Sequence, residues 1–290
     1  GEARHRCLQP RLGLDLEGPG AFEIESLPSP FDYEQQARLI LTSHLPVPTP
    51  VHEREFVEEV AADQVGFLSL SRGRAMTLFA ARTRMDAVAE LVDRKAPQLA
   101  ERGVSLLVQH RESAAEIRHR FRSDEGTAAF GLRSYWEGFD APGDTLSYLF
   151  IEKPPYPHPG DPLSEARQRV IEDRGGDPFG EYVVPQTAIR LAQGFGRLIR
   201  TESDRGVAYI YDRRIRQPRG SNEALLSAIP VSTPIFAEDR DQAWTAGIEF
   251  VTGEAPDLAD AIILIANTTD ALLEELRLLP GEDPDLKLAQ

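Results

Sequence analysis

The sequence predicts an α/β fold, a doubly wound and mostly parallel sheet with helices on both faces. Short apolar runs alternate with amphipathic helical patterns through the middle of the chain, which is typical of successive strand–helix units. With 290 residues, 41% of them hydrophobic, the chain can form the core of one large domain.

The elements follow in order along the chain. Amphipathic spacing predicts helices over 52–68, 84–96 and 112–122 and a further helix that begins near Pro185. Apolar runs predict strands over 75–80, 104–109, 127–132, 146–153 and 206–212. The segment PPYPHPGDP (154–162) is too rich in proline and glycine for a regular element and is expected to be a loop. Residues 257–279 have the spacing of a terminal helix.

These patterns divide the chain into three parts. Residues 35–230 form the doubly wound domain. We expect residues 1–34 to be an N-terminal arm that packs on it, and residues 231–290 to be an acidic, mainly helical C-terminal extension.

Composition narrows the functional class. No apolar run approaches the roughly 20 residues of a membrane span, and the N-terminus has no apolar signal-peptide core, so we expect a cytoplasmic protein with no membrane partner. Cys7 is the only cysteine and the six histidines lack HExxH spacing, so we expect no metal site within this chain.

The charge is unevenly distributed. The net charge of −15 argues against binding of nucleic acid. Much of that negative charge, however, lies from Glu238 onward, where there are 13 acidic and 3 basic residues. The stretch from Arg190 to Arg219 instead has eight arginines against three acidic residues. This cluster is either a local anion site or a solvated arginine surface.

Within this cluster, QGFGRLIR (193–200) places Gln193, Gly196, Arg197 and Arg200 at i, i+3, i+4 and i+7, which predicts one helical face. Guanidinium groups stabilise the charge that gathers on a transferring γ-phosphate, and a glycine lets a partner approach closely. The alternative is that the arginines pair with nearby acids such as Glu202 and Asp204.

A second stretch, SYWEGFDAPG (134–143), follows one predicted strand and precedes another, so it is expected at the carboxyl end of the sheet, where α/β folds bind ligands. Its glycines permit close backbone approach and its acids supply carboxylates. Trp136 either stacks on a base or packs the loop onto the core.

The chain lacks the sequence motifs of an autonomous enzyme. GxxxxGK[ST] is absent, none of the three lysines follows a glycine, and there is no GxSxG.

WEGFDAPG and, about fifty residues later, QGFGRLIRTESDRGVAYIYDRRI resemble motifs V and VI of the DinG/XPD-like superfamily 2 DNA helicases. AMTLFA (75–80) resembles motif IV, and SPFDYEQQ (29–36), GDPF (176–179) and LLSAIP (225–230) fall where that family has similar segments. The resemblance covers about residues 10–230.

The resemblance implies a second RecA-like motor domain of a 5′–3′ DNA helicase. In that family, ATP and Mg²⁺ bind between two RecA-like domains, and the first supplies the Walker A lysine and the magnesium-binding acid. Any iron–sulfur cluster also belongs to the first domain. This chain alone is therefore expected to be inactive, with single-stranded DNA and the first RecA-like domain of the same parent protein as its partners and a location at the nucleoid.

The resemblance also implies roles for individual residues. Arg197 resembles the arginine finger, Arg200 a second γ-phosphate contact and Gln193 the coupling glutamine. The residues implied at the ATP side are Glu137, Gly138, Asp140 and Gly196. Those implied at the DNA are Arg82, Gln109, Arg111, Ser134 and Trp136. In FAART (79–83), alanines replace the hydroxyl residue that often follows the motif IV strand, which weakens the case for a phosphate contact there.

Two other functions fit the same residues. One is a non-catalytic RecA-like module that binds protein or nucleic acid, and the other is an RNA helicase motor domain.

Overall fold

The computed structural model describes residues 25, 29–132, 146–217 and 220–266. Seven strands in this part of the chain form one parallel sheet in the order β3-β4-β2-β5-β6-β1-β7. The strands are β1 (Ala37–Thr42), β2 (Ala75–Leu78), β3 (Ser105–Val108), β4 (Thr127–Gly131), β5 (Tyr148–Ile151), β6 (Gly206–Ile210) and β7 (Ile235–Ala237).

Nine α-helices connect or flank these strands in the described ranges. They are α1 (Tyr33–Gln36), α2 (Glu53–Ser71), α3 (Arg82–Asp93), α4 (Ala96–Glu101), α5 (Ala114–Ser123), α6 (Pro162–Asp173), α7 (Val184–Phe195), α8 (Ser221–Leu226) and α9 (Arg240–Thr252). Short 3-10 turns cover Pro50–His52 and Arg213–Arg216, and a π-helical turn over Phe179–Val183 leads into α7. Residues 259–266 are also helical.

The sheet is covered on both faces, as the sequence predicts. Helices α2, α3 and α9 pack on one face and α5, α7 and α8 on the other, each with its own cluster of buried apolar side chains. Neighbouring residues of a strand point to opposite faces, so that Phe150 joins the first cluster and Leu149 the second. Because all strands run the same way, their carboxyl ends share one end of the sheet and their amino ends the other.

The sheet extends past residue 230. Strand β7 pairs with β1, and α9 packs on the face that α2 covers. The ring of Trp244 lies so close to Gly66 of α2 that a Cβ built there would be 2.1 Å from a ring carbon. The domain boundary at residue 230 stays a prediction. Strand β7 and helix α9 lie beyond it and belong to the same sheet and core. The N-terminal arm lies outside the described residues, apart from residues 25 and 29–34.

A buried carboxylate joins α9 to the rest of the domain. Asp63 of α2 is 1% exposed and accepts hydrogen bonds from Trp244 Nε1 (3.1 Å), Arg240 Nε (3.3 Å) and Tyr211 Oη. His44 Nε2 lies 2.9 Å from the same carboxylate. Burial alone would raise the pKa of Asp63, but His44, Arg240 and Tyr211 outweigh it and lower the pKa below its ordinary value.

The Asp63 site gives a pH-dependent prediction. A lowered pKa contributes stability that is present above the unfolded-state pKa of about 3.9 and is lost as pH falls through the folded-state pKa. We expect Asp63→Asn to lower the free energy of unfolding by about 3 kcal/mol at neutral pH. The difference from wild type should shrink as pH is lowered from about 5 to about 3.

Denaturant unfolding at a series of pH values measures this difference, with the exposed Asp173→Asn as the matched control. A deficit in Asp63→Asn that stays constant over the whole pH range would contradict the ionised network.

Candidate functional site

The two arginines of QGFGRLIR do not lie on a helix, so the predicted single helical face is wrong. Helix α7 ends at Phe195 with Gly196 as its C-cap, and the chain then turns through Arg197 and Arg200 toward β6. The turn tightens because Arg197 and Leu198 donate their N–H groups to Gly194 and Phe195, three residues back. Leu198 and Ile199, adjacent in sequence, are both 1% exposed and pack in the core, which leaves Arg200 at the surface.

The carboxylate of Asp204 fixes the shape of this turn. One of its oxygens accepts the N–H groups of Arg200 (2.7 Å) and Thr201 (2.8 Å), and the other accepts the hydroxyl of Thr201 (2.7 Å). Asp204 is 4% exposed, so these bonds are shielded from water. One side chain therefore holds the backbone that carries Arg200.

A second set of hydrogen bonds to the turn comes from the segment SPFDYEQQ, 165 to 168 residues upstream. Gln36, which is 8% exposed, donates from Nε2 to the carbonyl oxygens of Thr201 (2.8 Å) and Asp204 (3.2 Å). The side-chain Oε1 of Gln36 accepts the N–H of Asp32 at 3.1 Å. Tyr33 packs on Phe195, with ring centroids 6.1 Å apart.

Sequence reasoning missed Gln36 as a residue of this site and named Asp204 only as a possible partner of the arginine side chains. Both lie inside segments that carry the family resemblance, which is the signal that could have identified them. Their contacts are long-range or depend on a turn, so spacing along the chain does not reveal them.

The arginine turn, residues 196–204, lies at the amino end of the sheet, immediately before β6. Its position follows from the fold, because α7 runs antiparallel to the strands and returns the chain to their starting end. Gln193 and Arg200 are exposed and Arg197 is half-buried. Gly196 is exposed as well, and a Cβ there would meet only the carbonyl oxygens of the preceding helical turn, at 3.2 Å or more. Two guanidinium groups on a fixed turn can bind an anion presented from outside the domain.

Three of the expected nucleic-acid contacts lie at the opposite, carboxyl end of the sheet. Arg82 is exposed at the start of α3, after β2, with Nε 3.3 Å from Asp86. Gln109 follows β3. Its side-chain Oε1 accepts the N–H of Leu132, the residue after β4, at 2.6 Å. Arg111 is exposed and forms an ion pair with Asp93. Ser134, Trp136, Glu137, Gly138 and Asp140 lie outside the described residues.

A buried ion pair shapes the loop after β2. Glu152, which follows β5 and is fully buried, accepts the N–H of Ala80 at 2.9 Å and pairs with Arg84. Arg84 also reaches Glu53, with Nε–Oε1 at 2.7 Å. Burial raises the pKa of Glu152, and Arg84 opposes that shift. The Ala80 N–H is therefore engaged by Glu152, which agrees with the weakened case for a motif IV phosphate contact in FAART.

The described residues contain no group of three or more His, Cys, Asp or Glu side chains placed to hold a metal ion. In the same part of the chain, none of the helices is long and apolar enough to cross a bilayer.

A parallel, doubly wound sheet with helices on both faces is a RecA-like fold. The comparisons with known proteins agree with this class. The model of the helicase C-terminal domain family matches residues 65–231, more than half of the chain. The chain therefore belongs to this family, which confirms the resemblance to the C-terminal domain of DinG-like helicases.

Similar curated proteins include the ATP-dependent DNA helicase YoaA of Escherichia coli, which is 36% identical over 76% of this chain and 32% of its own length. The ATP-dependent helicase DinG of Mycobacterium tuberculosis is 33% identical over 70% of this chain and 29% of its own length. The chain thus spans about a third of the length of these relatives.

Solved structures support the fold. The Xpd4 structure from S. tokodaii has a TM-score of 0.51 at 13% identity, covering 77% of this chain and 41% of that one. A structure of an XPD helicase has a TM-score of 0.50 at 15% identity, and the match covers 70% of this chain and 36% of that one.

The arginine turn yields a prediction that needs no nucleotide. The substitution Asp204→Asn leaves one side-chain oxygen as acceptor and turns the other acceptor into an NH₂ donor. The N–H groups of Arg200 and Thr201 thereby lose their charged partner. We expect these two amides to exchange hydrogen about tenfold faster or more, with an unfolding free energy lower by about 2 kcal/mol.

Hydrogen exchange resolved at single residues measures the effect. Glu202→Gln is the matched control, because Glu202 is exposed in the same turn. Equal exchange rates in Asp204→Asn and Glu202→Gln would show that Asp204 does not hold the turn.

Proposed function

We propose that this chain is the second motor domain of an ATP-dependent DNA helicase that moves 5′ to 3′ along single-stranded DNA. The observation that carries the proposal is the arginine turn, whose backbone is fixed by Asp204 and Gln36 while Arg200 stays exposed. Two of the similar proteins are named as ATP-dependent helicases, which supports the same reaction for the longer protein.

The turn acts on a nucleotide held by another domain. Arg197 is the arginine finger that stabilises charge on the γ-phosphate in the transition state, and Arg200 is the second γ-phosphate contact. Gln193, exposed on the last turn of α7, couples the phosphate to domain closure. Gly196 adds no side chain at the point of approach, so the facing domain can come close.

ATP and Mg²⁺ are bound mainly by the first RecA-like domain of the parent protein, which supplies the P-loop lysine and the metal-binding acid. On this chain, Glu137, Gly138 and Asp140 contribute to the ATP side of the cleft. An iron–sulfur cluster, where the parent protein has one, also belongs to the first domain. The 290 residues on their own are therefore inactive as an ATPase.

Single-stranded DNA runs along the carboxyl end of the sheet. Arg82 and Arg111 are exposed there and contact its phosphates, and Ser134 and Trp136 add contacts from the segment after β4. Gln109 lies at the same end of the sheet, where its side-chain Oε1 accepts the N–H of Leu132.

The arginine turn and the exposed Arg82 and Arg111 therefore lie at opposite ends of one sheet. Five residues of β6 separate the two ends by about 17 Å at 3.3 Å per residue. ATP binding closes the two motor domains through Arg197 and Arg200, and hydrolysis releases them, so the cycle moves the strand by a two-state domain motion.

Substitution of the arginine finger tests this function in the full-length protein. We expect Arg197→Ala to reduce DNA-stimulated ATP turnover by about a thousandfold or more while ATP affinity changes little, because the finger acts on the transition state. Steady-state hydrolysis and equilibrium binding of a fluorescent ATP analogue measure the two quantities.

Arg205→Ala is the matched control, since Arg205 is an exposed arginine just beyond the turn whose guanidinium packs over Phe250. Unchanged turnover in Arg197→Ala would remove Arg197 from its assigned role. Stimulation by single-stranded RNA instead of DNA would reassign the substrate.

A further inference from the structure

The short segment ahead of β1, residues 31–36, contacts several separate parts of the domain at the amino end of the sheet. Tyr33 packs against Phe195, at the end of α7, with ring centroids 6.1 Å apart. The carboxylate of Glu34 accepts the N–H of Ser232, shortly before β7, at 2.8 Å. The segment is therefore fixed to the elements on either side of the arginine turn as well as to the turn itself.

Gln36 makes the shorter of the two hydrogen bonds that close the arginine turn. The backbone bond of the turn, from the N–H of Asp204 to the carbonyl oxygen of Thr201, is long at 3.4 Å. Gln36 Nε2 donates to the same oxygen at 2.8 Å and to the carbonyl oxygen of Asp204 at 3.2 Å. Because Gln36 is only 8% exposed, loss of its amide would leave two shielded carbonyl oxygens without these donors.

The amide of Gln36 is itself held in one orientation. Its Oε1 accepts the N–H of Asp32, and the side chain of Asp32 caps α1 by accepting the N–H of Gln35 at 3.3 Å. With Oε1 engaged in this way, Nε2 and its two hydrogens point to the arginine turn. The next residue, Ala37, pairs with Gly206 of β6, which fixes the distance between the segment and the turn.

We propose that Gln36 is a positioning residue for ATP hydrolysis, which holds the arginine turn in the conformation in which Arg197 and Arg200 meet the γ-phosphate. It acts only through the turn. Placement matters for such groups, since a displacement of about 1 Å can lower a rate by about a hundredfold. Asp204 holds the turn from within, through N–H groups, and Gln36 holds it from a distant segment, through carbonyl groups. This inference rests on the proposed function and adds a residue to its machinery.

A double-mutant cycle in the full-length protein tests this role. Gln36→Met removes both donated bonds and keeps the length of the side chain. We expect it to lower kcat for DNA-stimulated ATP hydrolysis by about tenfold with little change in KM, because the turn acts on the transition state. In an Arg197→Ala background, followed by single-turnover hydrolysis of radiolabelled ATP, the same substitution should lower the rate by no more than about twofold. Gln35→Met is the matched control, because Gln35 is the exposed neighbour of Gln36.

The outcomes separate positioning from a general loss of stability. An unchanged kcat in Gln36→Met, or an equal loss in the wild-type and Arg197→Ala backgrounds, would overturn the positioning role and leave the proposed function intact. Unchanged turnover in Arg197→Ala alone would overturn both. If circular dichroism shows that Gln36→Met does not fold, Gln36→Asn takes its place in the cycle with the same expected results, because its amide is one CH₂ group shorter and cannot keep both bonds.

Discussion

The interaction on which this structure most depends is the capture of one turn by one buried carboxylate. Asp204 takes three donors from residues 200 and 201, and Gln36 ties the same turn to the start of β1. In the observed turn Leu198 and Ile199 both pack into the core. The positions of Arg197 and Arg200 are therefore set by burial and capping, not by helical spacing.

Helix α7 connects that turn to the opposite end of the sheet. One end of the α7 segment is the arginine turn, and the other is the π-helical turn that carries Phe179. Arg190 of the same helix donates a hydrogen bond to the carbonyl oxygen of Pro155 in the loop after β5. A single packed element thus joins the arginine turn to the carboxyl end of the sheet, where the strand is proposed to run. In a two-domain motor such an element can transmit closure at one end of the sheet to the other without rearranging the core.

Much of the fold followed from sequence because buried strands and amphipathic helices have distinct periods. Strands β2 to β6 and helices α2, α3 and α5 lie where apolar runs and helical spacing predict them. Strands β1 and β7 and helix α9 were not identified, although ARLILT is wholly or partly buried at every position. Candidate site residues could be named from motifs, but the long-range bonds of Gln36 and the ion pair of Glu152 with Arg84 depend on segments that only folding brings together. The same limit explains why spacing wrongly placed Arg197 and Arg200 on a helix.

The central claim is that this chain is half of a motor, which presents arginines to a nucleotide that another domain holds. The most direct test is ATP hydrolysis by the purified 290-residue chain with and without single-stranded DNA, after circular dichroism has shown that it is folded. The account predicts no turnover above the buffer background under either condition. DNA-stimulated hydrolysis that rises in proportion to the concentration of the chain would contradict it.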